Sequence, residues 1–394
     1  MPDDILRLSR ELLPLQVAFR RHIHRHPELA FREFETSAYI AAQLRKHKID
    51  ARVLKDKTGV IALVNPDRER AVALRCELDA LPVVEQTDLP YASAHEGIMH
   101  ACGHDLHMAV IMGTAILLNR LKKKLPLAVK FFFQPAEEEP PGGAVELIKE
   151  GCLENPKVEM IFSLHVDPGV ATGRIGLRDG PTMASVMDFD ITIKGKGGHA
   201  ARPHATVDAV AVAAEVVESL QKVISREIDP LNPALITIGV IEGGTVRNVI
   251  AEQVILRGTA RTLTPQNVKH LPRLIKRTIG GICRARGASF SLDFISGYPV
   301  MTNHPSANAI LRDSYRELFG KGGIEVTPPT MGGEDFAYYL QEIPGAMFRL
   351  GVKNNAIGAN KSWHAADFTV DEDAIFYGTS LLAKAVIKYC ETSY

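Results

Sequence analysis

The chain has 394 residues, 46% of them hydrophobic and 23% charged. That is an ordinary globular balance, which excludes disorder and coiled coil, and the length predicts more than one domain. Lys plus Arg and Asp plus Glu both number 46, so the formal net charge is zero; a protein that works by neutralising phosphates is basic, and no nucleic-acid partner is expected.

The N-terminus, MPDDILRLSRELLPLQ, has acidic residues at its front and no long apolar core, so it does not read as a secretory signal. Residues 5–48 look helical, with a dense His/Arg group from Arg20 to His26 stopped at Pro27. Short apolar runs at 59–64 and 71–75 suit buried strands, and a helical pattern follows over 105–121. The most apolar stretch, 109–118, holds Gly113 and Thr114. It falls short of the roughly 20 apolar residues a span needs, so no membrane partner is expected. LAVKFFF (127–133) and MIFSLH (160–165) read as two more buried strands. Strands alternating with helices predict an α/β domain with a largely parallel central sheet.

After Gly180 the texture changes. Met187, Phe189, Ile191 and Ile193 alternate with polar residues, the period of a strand with one wet face. A helix over 206–224, strands over 234–240 and 253–261, a helix over 265–284 and a strand carrying Phe290, Leu292 and Phe294 follow. The order β-α-β-β-α-β is a split βαβ sandwich. Residues 181–296 therefore read as a small domain inserted in a larger one made of residues 1–180 and 297–394. The five cysteines, Cys76, Cys102, Cys152, Cys283 and Cys390, are scattered and odd in number. That argues against a disulfide framework and for a reducing cytoplasm.

Four pieces carry candidate chemistry. In HACGHDLH, Cys102 and His104 are two apart, so in a loop both can point at one centre. Thiolate and imidazole suit a borderline-soft metal, with Asp105 as a candidate cap for the helix that follows. A loop cysteine beside a solvated histidine is an equal alternative for this spacing by itself. Glu137, Glu138 and Glu139 follow a very apolar strand, where sites form in α/β sheets. Adjacent residues on an extended segment point to opposite sides, so one carboxylate can bind metal while its neighbour faces a water. A solvated acidic turn is the commoner meaning of such a triplet. His165 closes the strand MIFSLH, and His364 stands beside Trp363, the only tryptophan; each alone reads as an ordinary core or surface histidine. Together the four pieces make a ligand set for two metal ions sharing a bridge, with a spare carboxylate as base.

The runs RCELDALPVVEQTDLPYASAHEGIMHACGHDLHMAVIMGTAILL, FQPAEEE, LHVDP, GKGGHAARPHATVDAV, GGTVRNVIAE and MGGEDF cover nearly the whole chain in one order. The sequence resembles the metal-dependent amidohydrolases that include hippurate hydrolase, N-acyl-L-amino-acid amidohydrolase, indole-acetyl-amino-acid hydrolases and thermostable carboxypeptidase. These belong to the aminoacylase and glutamate carboxypeptidase superfamily of dinuclear metallopeptidases. The resemblance implies an α/β catalytic domain interrupted by a ferredoxin-like lid or dimerisation domain. It implies that Cys102 bridges two divalent ions, that His104 and His165 complete one, and that Glu138 and His364 complete the other. Glu137 would be the general base and Asp79 would hold His104 from behind. Most relatives carry aspartate where this chain has Glu77 and alanine where it has Cys76, which puts any role for Glu77 in doubt. His199 would stabilise the oxyanion from a partner subunit, while Asn248 and Arg261 would bind substrate, Arg261 by gripping a carboxylate. The alternative for Arg261 is a solvated strand arginine like Arg257. His204 and Glu334 stay without a definite role.

The expected activity is hydrolysis of the amide bond of N-acyl-L-amino acids, N-acetyl or N-benzoyl among them, and of short peptides with a free C-terminal carboxylate. The alternatives are a carboxypeptidase or dipeptidase acting mainly on peptides, a catalytically silent binding relative, and a cysteine hydrolase using Cys102. Softness favours zinc, with manganese, cobalt and nickel as alternatives. A homodimer or higher homo-oligomer is the expected assembly.

Overall fold

In the computed structural model, which describes residues 2–392, the N-terminal segment expected to be helical over 5–48 forms two helices, broken around Pro27. Helix α1 (Pro2–Arg25) buries Ile5, Leu8, Leu12, Phe19 and Ile23 along one stripe. It ends before Pro27, because the residue ahead of a proline is pushed out of the helical region. Phe31 then turns the chain with φ of 59°. Helix α2 (Phe34–Lys46) has its first N–H groups capped from outside the helix: the Glu28 carboxylate accepts from Glu35 N–H and Thr36 N–H.

Strands β1 (Asp50–Val53), β2 (Val60–Val64), β3 (Arg70–Glu77), β4 (Ala128–Gln134), β5 (Lys157–Ala171) and β6 (Ile175–Leu177) follow, with α3 (His104–Arg120) and α4 (Gly143–Lys149) between them. Next come β7 (Gly180–Met183), β8 (Ser185–Lys194), β9 (Gly198–His199), α5 (Ala209–Glu227), β10 (Ala234–Gly243), β11 (Val249–Ile250), β12 (Gln253–Thr262), α6 (Pro265–Arg286) and β13 (Ser289–Ser296). The chain closes with β14 (Met301–Asn303), α7 (Pro305–Phe319), β15 (Ile324–Val326), α8 (Phe336–Glu342), β16 (Gly345–Lys353) and α9 (Ala374–Thr392).

The larger sheet has the order β1-β2-β4-β3-β5-β16-β6-β15. Its four central strands, β4, β3, β5 and β16, run parallel, while β2 pairs with β4 and β6 with β16 antiparallel. The sheet is therefore parallel in the middle and mixed toward its edges. Strand β4 is buried at every position, as a central parallel strand covered on both faces must be. Helix α3 is buried without a break from His104 to Leu118 and packs against α1 and α9. No amphipathic stripe marks it, because a helix enclosed on all sides needs none. Among the described residues, no helix is long and apolar enough to cross a membrane.

The smaller sheet has the order β10-β12-β8-β13, antiparallel throughout, the arrangement that β-α-β-β-α-β connectivity gives in a ferredoxin-like sandwich. Phe189, Ile191 and Ile193 of β8 pack with Val212, Val216 and Leu220 of α5 and Leu271, Ile275 and Ile279 of α6 in one core. Asp208 starts α5 by accepting from Val210 N–H and Ala211 N–H.

The chain divides into two compact units. One holds the residues up to Gly180 with Thr302–Pro328 and from Asp335 onward; the other holds Pro181–Met301 and Pro329–Glu334. The expected insert, 181–296, is thus shorter than the second unit. Val186 N–H donates to the Tyr298 carbonyl, Ala184 N–H to the Gly332 carbonyl and Arg261 Nη1 to the Met331 carbonyl. Those bonds tie segments that lie outside the expected boundary to the smaller sheet.

Candidate metal centre

Three of the four central strands of the larger sheet deliver the site from their C-terminal ends, where open α/β sheets place ligands. Strand β3 leads to Asp79, β4 leads into Glu137 and Glu138, and β5 carries His165. The fourth contribution is the loop before α3. There Gly103, at φ of 86°, turns the chain between Cys102 and His104, and a Cβ on it would meet Val166 Cγ2 at 2.6 Å. Only glycine fits, so both side chains on its flanks are fixed in direction. Gly103 is also the N-cap of α3. The capping role expected of Asp105 is therefore not observed. Asp105 is buried in the first turn and takes Arg20 Nε and His24 Nδ1, each at 2.9 Å, tying α3 to α1.

The histidines are oriented by what their second nitrogen binds. His104 Nδ1 lies 2.8 Å from the Asp79 carbonyl and 3.3 Å from Asp79 Oδ1. A carbonyl only accepts, so Nδ1 carries the proton and Nε2 offers its lone pair. His165 Nδ1 likewise donates to the Val166 carbonyl at 2.8 Å, and its Nε2 stands 3.5 Å from Cys102 Sγ. His364 adopts φ of 63°, rare for a residue with a side chain. Its N–H donates to the Ala101 carbonyl, and its Nε2 lies 3.3 Å from Glu138 Oε1.

Two donor groups share one atom. The donor atoms of Cys102, His104 and His165 lie within 4.8 Å of one another, and so do those of Cys102, Glu138 and His364. A third group joins His104 to Glu137 and Glu138. The two glutamates do not face opposite ways as an extended segment would require. Ala136 sits at φ of 52°, so the segment bends and turns both carboxylates toward His104. Glu139, beyond the bend, is exposed.

The donor set fits divalent ions. His104 Nε2 is buried and has no hydrogen-bond partner among the described residues, and such an atom is retained where something else satisfies it. Burial works against a charged His104 ring, but Asp79, Glu77 and Glu138 outweigh it and raise its pKa to about 10. That is a demand for positive charge at this spot. Burial, then the Glu138 and Glu137 charges, push the Cys102 thiol well above its ordinary value. His165 is held neutral, first by burial and then by the Arg349 charge.

Glu77, His104 and His107 also bring donor atoms together, but His107 has no lone pair to spare. Its Nδ1 donates to Glu77 Oε2 at 2.6 Å and its Nε2 accepts from Val166 N–H at 2.9 Å. Glu77 is an ion-pair member beneath the site. With Asp335 it holds the buried Arg75 guanidinium. His107 and Glu33 carry no signal in the sequence, because no local spacing marks either.

The second unit carries the other candidates. His199 in β9 pairs with Val249 in β11, and the Asn248 carbonyl accepts from Ala200 N–H. This short ladder brings His199 and Asn248 side by side. His199 is exposed, and its Nδ1 accepts from Ala201 N–H at 3.0 Å, leaving the proton on Nε2. Arg257 and Arg261 differ. Arg257 pairs with Glu242 and Asp190, whereas Arg261 has no carboxylate partner among the described residues and donates to the Met331 carbonyl at 2.9 Å. His204 is exposed in the 3₁₀ turn Pro203–Ala205, and Glu334 is buried.

Residues 73–388 match the model of peptidase family M20/M25/M40. The chain is 37% identical to the N-acetyl-L-cysteine deacetylase of Bacillus subtilis, over 99% of this chain and 94% of that one. It is 34% identical to thermostable carboxypeptidase 1 of Saccharolobus solfataricus, over 96% of each. Among solved structures, a dinuclear metal-binding peptidase of the M20 family from Bacillus subtilis superimposes with a TM-score of 0.85 at 34% identity, covering 97% of this chain and 99% of that one.

Proposed function

The chain is a hydrolase of peptidase family M20/M25/M40, and on that footing we propose that it cleaves the amide bond of N-acyl-L-amino acids bearing a free carboxylate. The observation that carries this reading is the position of Cys102 in two donor groups at once. In our reading His104 and His165 complete one ion site with Cys102, and Glu138 and His364 complete the other. The relative named a dinuclear metal-binding peptidase supports two ions per chain, and the thiolate and imidazole donors favour zinc over manganese, cobalt or nickel. When bound, such ions lower the pKa of a water and polarise a carbonyl.

The remaining work falls to the protein's own groups. Glu137, with Oε2 4.0 Å from His104 Nε2, takes the water proton and hands it to the departing nitrogen. Asp79 holds His104 in its tautomer. Arg261 grips the substrate carboxylate beside Asn248, which its lack of a carboxylate partner among the described residues supports. His199 donates from Nε2 to the oxyanion, supplied by the partner in a homodimer or higher homo-oligomer. Mixing inactive His199→Ala and Glu137→Gln subunits then restores activity, and failure to do so despite subunit exchange removes the trans role. Five free cysteines fit a cytoplasmic setting.

The similarity to thermostable carboxypeptidase 1 favours short peptides as a second substrate class. A cysteine hydrolase needs an accessible, acidic thiol, and the raised pKa of buried Cys102 disfavours one. The test is a hydrolysis screen of N-acetyl, N-benzoyl and N-indoleacetyl amino acids and dipeptides, after elemental analysis. About two ions per chain and activity that chelation abolishes are expected; full activity in metal-free protein sinks the reading.

A further inference from the structure

We propose that Glu33 is a positioning residue for the segment that presents Glu137 and Glu138. The proposal rests on the reading of those two carboxylates as base and ligand. Glu33 occupies the N-cap position of α2 but does not cap it; Glu28 does that work from outside. The Glu33 side chain leaves the helix instead. It is buried with no exposed surface. Its Oε1 accepts from Ala136 N–H at 2.8 Å and its Oε2 accepts from the Thr58 hydroxyl at 2.7 Å.

Ala136 is the left-handed residue that bends the chain and aims both glutamates at His104. Its N–H is held by Glu33 and its carbonyl by Gly143 N–H at 3.1 Å. Two residues on, Glu138 N–H donates to Asp79 Oδ2 at 2.8 Å. Two buried carboxylates thus clamp the backbone on either side of Glu137. Such an arrangement works against stability: burial and the neighbouring Asp79 charge push Glu33 up to about 7. A neutral cap on α2 would avoid that penalty, so the carboxylate is explained by what it holds. An unfavourable left-handed alanine persists only where its surroundings over-determine it.

The test compares Glu33→Ala, Glu33→Gln and Thr58→Val in the metal-loaded protein, by kinetics and by backbone amide exchange of peptides spanning 134–138. Glu33→Ala is expected to lose about 10–100-fold in kcat at unchanged KM, the scale of a displaced catalytic group, and to lose exchange protection in 134–138. Glu33→Gln keeps an oxygen for Ala136 N–H and turns its amide toward Thr58, so it should stay within ~3-fold of wild-type kcat. Thr58→Val removes a partner of equal burial without touching Ala136. It should melt at lower temperature yet keep kcat and exchange protection. Wild-type kcat in Glu33→Ala, or equal kcat losses in Glu33→Ala and Thr58→Val, overturns the positioning role. If the wild type cleaves no N-acyl substrate, the functional reading falls, and exchange in 134–138 decides the clamp by itself: unchanged protection in Glu33→Ala ends it.

Discussion

Asp79 and Glu138 are joined by a hydrogen bond from Glu138 N–H to Asp79 Oδ2 at 2.8 Å, while the other oxygen of that carboxylate lies 3.3 Å from His104 Nδ1. One buried carboxylate therefore positions Glu138, on a loop after β4, and His104, at the start of α3. Burial opposes its charge, but the His104 contact and the Glu138 and Glu137 N–H groups hold its pKa below the ordinary value. Asp79→Ala should weaken metal binding by about 10–100-fold, the usual effect of removing an outer partner of a ligand. Competition against a chromogenic chelator measures it, and unchanged affinity would remove Asp79 from the support of the site.

Substitution separates the roles proposed for Glu137 and Glu138. Glu137→Gln should keep both ions and lose ~10²–10⁴-fold in turnover, because an amide cannot shuttle a proton. Glu138→Gln should lower metal occupancy instead. Elemental analysis of both variants decides, and the reverse pattern would swap their roles.

Arg261 has a backbone carbonyl, not a carboxylate, as its partner. Arg261→Ala should raise KM by an amount equivalent to roughly 2–5 kcal/mol of lost charged contact. An amidated substrate should show the same loss with the wild type. Equal rates on free-acid and amidated substrates would take Arg261 out of substrate binding.

Glu33 predicts a pH-dependent stability. Burial, then the Asp79 charge, raise it from an ordinary 4.5 to about 7. Between those values the folded state keeps a proton that the unfolded chain has released, so stability falls as pH rises through the window and levels off above it. The shift corresponds to about 3 kcal/mol. In chelator-treated protein, Glu33→Gln should melt with wild type near the lower limit and above it past the upper one. A melting difference that stays constant across the window would falsify the linkage.

What the sequence determined by itself was whatever repeats locally. The alternation of Met187, Phe189, Ile191 and Ile193 follows from side chains taking opposite faces of a strand, and it marks β8. The apolar run of β4 follows from a strand covered on both faces. Cys102 and His104 were legible as a pair because two residues of a loop can share a centre. Tertiary structure decided the rest. Parallel order in the middle of the larger sheet brings Asp79, Glu138 and His165 to one end, and His364 arrives from a loop near the end of the chain. The bend at Ala136 defeats the opposite-sides rule, since one left-handed residue resets which way the next two side chains point. Asp105 reads in the sequence as a cap but serves Arg20 and His24, while Glu33, which the structure puts at the N-cap position of α2, serves Ala136. A polar side chain at a helix start has the same local sequence whether or not it caps. Its partner is chosen by which distant backbone the fold buries beside it.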